Sequence, residues 1–316
     1  MAEPDGRPAL DPDGDPDGGA GVTWAALAAE TGERLAVSSD PAVAARADWQ
    51  GRLIAMRAAG AEADEWPGRA TEPATVRGVA ALDRMTARRL SGEPLQYVLG
   101  EWSFRYLDLF VDHRVLIPRP ETEVVADLAL DELRRRAPGD QAVTAVDLGT
   151  GSGAIGLSLA REHDGVELWL TDISADALQV ARANLAGLGR AAARVRVTQG
   201  AWFEALPDEL RGAVGLVVAN PPYVARDEDL PAEVAEWEPE LALVSGPTGT
   251  EHLELLIAQA PHWLDDEGVL VLEMAPHQTS TMAALARTHF DEVEIHPDLA
   301  ERDRAVLARR PRRRES

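Results

Sequence analysis

Asn220, Pro221, Pro222 and Tyr223 stand together directly after an apolar run, Val214 to Val218. The run reads as a buried strand, and open α/β sheets place their ligands at the carboxyl ends of strands. The Asn220 side chain offers an oxygen acceptor, and a proline keeps its carbonyl while lacking an N–H. Two prolines fix φ at about −65° and remove competing donors. The residue before a proline is driven to extended conformations, so Asn220 is constrained as well. Tyr223 adds a flat face with a polar tip. These groups suit one task, the holding of a planar NH2 group by two oxygens. The bland alternative is a proline-rich turn that merely ends a strand. The full residue combination argues against it.

A second stretch, Asp147-Leu148-Gly149-Thr150-Gly151-Ser152-Gly153, lies between an apolar run and a helical pattern. Its glycines permit positive φ and a close approach of backbone to a ligand. Alone, such a turn fits a dinucleotide, S-adenosylmethionine or no ligand at all. Two features favour S-adenosylmethionine. The glycines are spaced Gly-x-Gly-x-Gly rather than Gly-x-Gly-x-x-Gly. Asp172 then ends the following apolar run, about 20 residues on, where a carboxylate can accept from both ribose hydroxyls. Ile173 supplies an apolar neighbour for adenine. Trp202 is placed to wall the same pocket, or else to fill the core. Arg119, between two prolines, either reaches a ligand or is solvated.

These groups need a scaffold, and the pattern around them supplies one. Apolar runs at 143–147, 166–171, 195–198, 214–219, 269–273, 292–296 and 305–308 alternate with helical patterns at 154–162, 175–187, 249–264 and 279–288. Leu178, Ala181 and Leu185 mark the buried face of the second of these helices. Such alternation predicts a parallel sheet covered by helices on both faces. The last two strands are joined by only about eight residues, too few for a crossover, so they pair antiparallel. A helix begins at Glu121 and runs to about Arg136.

Ahead of this sheet, residues 22–91 read as a small helical unit, assigned to substrate recognition. Helices are expected at 24–30, at 41–59 with Trp49, Leu53 and Met56 inward, and at 74–90 with Val76, Val79, Leu82 and Met85 inward. Residues 60–73 read as a loop. Residues 92–120 read as a hairpin linker, turning near Asp108. The catalytic domain is then 121–310. Residues 1–21, built of Pro, Gly, Asp and Ala, read as a disordered acidic tail. Residues 311–316 end an arginine run read as a solvated basic tail.

Composition narrows the function classes. At 45% hydrophobic, the 316 residues can bury a full core. The net charge of −23 argues against sequence-independent nucleic-acid binding, which rests on cations neutralising phosphates. The absence of Cys removes disulfides, thiolate metal sites and a thiol nucleophile. All 31 basic residues are Arg, so a Schiff-base lysine and a P-loop lysine are excluded too. No metal site is expected. No apolar run is long enough to span a membrane and the N-terminus is acidic, which gives the expectation of a cytoplasmic protein.

The chain resembles the release factor glutamine methyltransferases. The likeness rests on Gly92-Glu93-Pro94-Leu95-Gln96-Tyr97 with Gly100, Leu116 to Glu123, Asp147 to Ile155, Asn220 to Tyr223, Glu238-Pro239 and Arg302 to Arg304. It implies a Rossmann-like, seven-stranded S-adenosylmethionine-dependent methyltransferase sheet with a small N-terminal helical domain. It implies methyl transfer to N5 of the glutamine in the Gly-Gly-Gln motif of peptide-chain release factors. The resemblance places cofactor contacts at Gly149, Thr150, Gly151, Ser152, Gly153, Asp172, Trp202 and Asn220. It places substrate contacts at Asn220, Pro221, Pro222 and Tyr223, with Asn220, Pro221 and Tyr223 catalytic. Departures from the family pattern are Ala201, where an acid is common, and Ala275, where a Gly is common after Glu273. A monomer is expected. The rival readings are a DNA adenine-N6 methyltransferase, since adenine also offers a planar NH2 group, and a catalytically silent cofactor-binding adaptor of translation.

Overall fold

A computed structural model describes residues 21–136 and 142–313. Residues 1–20 of the acidic stretch, residues 137–141 and the last three residues, Arg314, Glu315 and Ser316, lie outside them. The chain divides into two compact units between Leu99 and Gly100.

The first unit holds α1 (Trp24–Ala36), α2 (Pro41–Ala44), α3 (Ala47–Ala59), α4 (Trp66–Arg69), α5 (Val76–Leu90) and α6 (Leu95–Leu99). Thr23 caps α1 by accepting from the Ala26 N–H at 3.3 Å, and Thr75 caps α5 by accepting from Gly78 at 3.1 Å. The single helix expected over 41–59 is broken at Ala45–Arg46. Its inward face matches expectation at Met56, which is buried, and at Leu53, which packs on the core, but not at Trp49. Trp49 is 46% exposed, while Ala47, Gln50, Gly51, Ile54 and Ala55 are buried. The reason is contact of main chains: a Cβ on Gly51 would lie 2.6 Å from the Gly32 nitrogen of α1. The small-residue face therefore turns inward and the tryptophan outward. On α5, Val76 is exposed and Leu82 buried. The expected loop over 60–73 contains α4, whose Trp66 is buried in this unit's core.

The second unit opens with a hairpin, β1 (Glu101–Phe104) and β2 (Leu107–Phe110). It turns at Arg105–Tyr106, not near Asp108. Arg105 takes φ +54 there, a conformation unfavourable for a residue with a side chain. Its guanidinium is anchored to Glu162 at 2.6 Å and Asp127 at 2.7 Å, and its N–H donates to Glu123.

Then come α7 (Pro120–Arg136), β3 (Val143–Leu148), α8 (Ala154–Glu162), β4 (Val166–Asp172), α9 (Ala175–Ala186), β5 (Val195–Gln199) and β6 (Val214–Ala219). A small parallel pair, β7 (Val224–Ala225) and β8 (Val244–Gly246), brackets α10 (Ala232–Trp237). The chain ends with α11 (Glu251–Gln259), β9 (Leu264–Glu273), α12 (Thr279–Ala286), β10 (Phe290–Pro297) and β11 (Asp303–Pro311). The helix expected to reach Leu264 stops at Gln259, because Pro261 cannot continue it. On α9 the inward residues are Ala177, Leu178, Val180 and Ala181; Leu185 is only half-buried.

The sheet order is β10-β11-β9-β6-β3-β4-β5. β11 is antiparallel to both of its neighbours, and the pairs among β9, β6, β3, β4 and β5 are parallel. This is the Rossmann-like methyltransferase sheet. Val146, Leu148, Val217, Ala219, Leu270, Leu272, Val306 and Ala308 line one face in a single core with Leu253 and Leu256 of α11 and Met282 of α12. Arg310, Arg312 and Arg313 are exposed, as expected of a solvated run, but Arg309 is not. Arg309 lies in β11 and donates to buried Glu132 and exposed Glu294, so β-pairing and these acids order it.

The topology fixes where a site must form. From β3 the chain moves outward through β4 and β5, then returns to β6 on the other side of β3. Leu148 and Ala219 are register partners. The turn after β3 and the tetrapeptide after β6 therefore leave the sheet side by side, at the crevice where the winding reverses.

Candidate active site

The turn after β3 is built around Asp147. Its Oδ2 accepts from the Thr150 hydroxyl at 2.6 Å and from the Gly156 N–H at 2.9 Å. Complete burial pushes its carboxyl up to about 6, against those two hydrogen bonds. Gly149, Gly151 and Gly153 all have positive φ, which lets the loop reverse tightly, with the Thr150 and Gly151 N–H groups tied to Thr171 and Asp172.

Asp172, at the tip of β4, closes this loop. Its Oδ2 accepts from the Gly151 N–H at 2.9 Å and its Oδ1 from the Ser174 N–H at 2.9 Å. Burial raises its pKa, and the backbone hydrogen bonds oppose the rise. A carboxylate has about four lone-pair sites, so these backbone donors leave acceptor capacity facing the cleft.

Trp202 follows β5 with φ +49 and lies over the glycine turn; a Cβ on Gly149 would sit 3.2 Å from its ring. Its other neighbour is His252 of α11, with centroids 5.1 Å apart and planes tilted by 58°. Burial lowers the His252 pKa, which favours the neutral ring.

Asn220 is half-buried, and its Nδ2 donates to the Thr122 hydroxyl at 3.3 Å. Pro221 is buried, and its carbonyl accepts no hydrogen bond among the described residues. Tyr223 packs against the β-sheet core. Its carbonyl accepts from Gln278 Nε2 at 2.9 Å, and burial, reinforced by the Glu273 charge, holds its phenol protonated well above the usual range.

One cleft joins these parts. Gly149, Thr150, Gly151, Ser152, Asp172, Trp202, Asn220 and Pro222 all line it. It encloses about 1120 Å³ counting its open mouth, enough for a ligand of nucleoside size. Of the residues singled out in the sequence, Gly153, Pro221 and Tyr223 lie outside its wall. Arg119 reaches the cleft but is paired with the buried Glu238, which also accepts from the Ile117 N–H. That pair ties the connector before α7 to the segment after α10. Sequence reasoning did not single out Thr122, His252 or Leu241. Thr122 sits inside a motif it had noted, but nothing in the spacing marks its partner 98 residues away.

The residues fit S-adenosylmethionine: a tight glycine turn that lets backbone approach a ligand, an acid at the cleft with acceptor capacity to spare, and apolar walls from Ile173 and Trp202. Comparison with known proteins agrees. Residues 123–236 match the family model described as methyltransferase small domain. The chain is 40% identical over 220 residues to the release factor glutamine methyltransferase of Synechocystis, covering 68% of this chain and 73% of that one. It is 42% identical to the enzyme of the same name from Moorella thermoacetica, covering 71% and 77%. The Chlorobaculum tepidum enzyme of that name is 37% identical, covering 74% and 80%. The chain belongs to the release factor glutamine methyltransferases. Membership in this methyltransferase family gives the cleft its chemical sense. β3 and β4 supply the glycine turn and Asp172, β6 supplies Asn220, and the two sets meet at one crevice.

Proposed function

We propose that this chain transfers a methyl group from S-adenosylmethionine to N5 of the glutamine in the Gly-Gly-Gln motif of peptide-chain release factors. The observation that carries the reading is Asn220 on the wall of the same cleft as Asp172 and the glycine turn, its NH2 group already engaged by Thr122. That engagement leaves the carboxamide oxygen for a substrate.

Asp172 would hold the ribose hydroxyls, Gly149 to Ser152 would approach the methionine part, and Ile173 and Trp202 would flank the adenine. The bound cofactor supplies an electrophilic sulfonium methyl. An amide nitrogen is a weak nucleophile because its lone pair is shared with the carbonyl. Asn220 Oδ1 and the Pro221 carbonyl accept its two N–H bonds, orient its lone pair and stabilise the positive charge that develops there; as the N–CH3 bond forms the S–CH3 bond breaks, the thioether leaves with the bond's electrons, and the methylated nitrogen loses one proton to water. Holding both reactants in line supplies much of the remaining acceleration. Tyr223 supports this grip from behind, through its packing on the sheet.

The helical unit recognises the protein substrate in this proposal, and the enzyme works in the cytoplasm as a monomer. No helix among the described residues is long and apolar enough to cross a membrane. The test is incubation with methyl-labelled cofactor and, separately, a release factor or duplex DNA. Label in the release factor supports the proposal. Label in DNA alone rejects it in favour of base methylation, and tight cofactor binding with no transfer to either rejects it in favour of an adaptor.

A further inference from the structure

Glu273 ends β9, beside β6, where Leu272 is the register partner of Ala219. It is 0% exposed, and neither carboxyl oxygen has a well-formed hydrogen bond among the described residues. An unpaired buried carboxyl is costly to keep. The Thr122 hydroxyl, which receives the Asn220 NH2, is also the neighbouring side chain that favours the ionised form of Glu273. The Asn220 carboxamide therefore has a second layer behind it.

We propose that Glu273 and Thr122 form a positioning relay that fixes which end of the Asn220 carboxamide faces the substrate. The inference rests on the function proposed above. A carboxamide can be placed two ways round. With its oxygen outward it accepts an N–H from a substrate amide. With its NH2 outward it opposes that amide donor to donor. A lone threonine hydroxyl does not choose between them, because it both donates and accepts. It can take the Asn220 N–H, or turn its proton to Asn220 Oδ1 and stabilise the wrong placement. A carboxylate accepts only. Glu273 behind Thr122 claims the hydroxyl proton and leaves the oxygen's lone pairs for Asn220 Nδ2. Only the productive placement then satisfies all three groups.

The relay operates while Glu273 is ionised. Burial pushes its carboxyl up to about 7, against Thr122, Arg304 and Arg119 and with Glu121. The charged and titratable groups facing it are Glu121 on α7, Arg119 before α7, Arg304 on β11 and Tyr223 after β6. Arg119 is paired with Glu238, and Arg304 lies 3.5 Å from Asp298, so neither is committed to Glu273. Below about pH 7 the carboxyl gains a proton, becomes a donor and loses its claim on the threonine.

The test uses the full chain, S-adenosylmethionine and a release factor, with Thr122→Val, Thr122→Ser and Glu273→Gln. Activity of the unaltered enzyme decides the function; ratios among variants decide the relay. Thr122→Val and Glu273→Gln are expected to lower kcat roughly 10- to 100-fold, the scale of a misplaced reacting group, with cofactor affinity held. Thr122→Ser, which keeps the hydroxyl, is expected to recover most of the rate. The kcat of the unaltered enzyme is expected to fall as pH drops through about 7, and that of Glu273→Gln to stay flat. Equal losses in the Val and Ser variants, or a pH profile unchanged by Glu273→Gln, would overturn the relay. Should Glu273→Gln fail to fold, the Val and Ser pair alone decides.

Discussion

Replacing Asp172 by Asn isolates the cofactor half of the site. The carboxylate uses Oδ2 for the Gly151 N–H and Oδ1 for the Ser174 N–H, both at 2.9 Å. A carboxamide keeps one acceptor oxygen and turns its NH2 against the other backbone donor. One backbone bond is lost outright, and at most one acceptor site remains for the ribose. Hydrogen bonds to a charged acceptor are worth about 1.5–3 kcal/mol and neutral ones about 0.5–1.5. Losing one charged ribose contact and weakening the other gives about 2–4 kcal/mol. That corresponds to roughly 30- to 1,000-fold weaker cofactor binding. Isothermal titration of S-adenosylmethionine into each protein reads this directly, with a thermal melt to confirm that the variant is folded. A dissociation constant within threefold of the unaltered protein would refute the placement of the ribose at Asp172.

Three further outcomes follow from the same geometry. Asn220→Ala is expected to lower turnover by roughly 10²–10³, the usual cost of one lost contact to developing charge, while calorimetry shows cofactor affinity held; near-normal turnover would contradict the substrate grip. Glu273 is expected to cost stability: its folded pKa of about 7 lies above the ordinary 4.5, so the folded state binds more protons between those values and stability falls as pH rises through that window. The ceiling is about 3 kcal/mol above pH 7, so by urea unfolding Glu273→Gln should be the more stable protein at pH 8, with the gap closing by about pH 4.5; a variant less stable at pH 8 would count against it. Gly51→Ala is expected to destabilise the first unit by about 1–3 kcal/mol, because its Cβ would lie 2.6 Å from the Gly32 nitrogen; hydrogen exchange confined to α1 and α3 reads this, and unchanged protection there would contradict the main-chain contact.

The sheet was legible because its central strands are continuous apolar runs separated by glycine and proline, as strands buried on both faces must be. The chemistry was legible where it is contiguous. Asn220 to Pro222 and Asp147 to Gly153 each carry acceptors, glycines and prolines within one turn. Asp172, at the end of an apolar run, lies at the tip of β4 and lines the cleft, as its place in the sequence implies. What failed depends on partners distant in sequence. The inward face of α3 is chosen by Gly32 on another helix, so Trp49 misled. The hairpin turn is set at Arg105 by Glu162 and Asp127, which outweigh local turn preference. Thr122 and Glu273 reach Asn220 from α7 and β9, and no local pattern links the three.

The grip of Asn220 and Pro221 on a carboxamide is tested most directly by mass spectrometry of the Gly-Gly-Gln peptide from a release factor treated with this enzyme and S-adenosylmethionine. The predicted result is a mass gain of one methylene, fragmenting to the glutamine side chain and lost with Asn220→Ala. A peptide left unmodified by the folded, cofactor-binding enzyme, or a methyl group on any other residue, would contradict it.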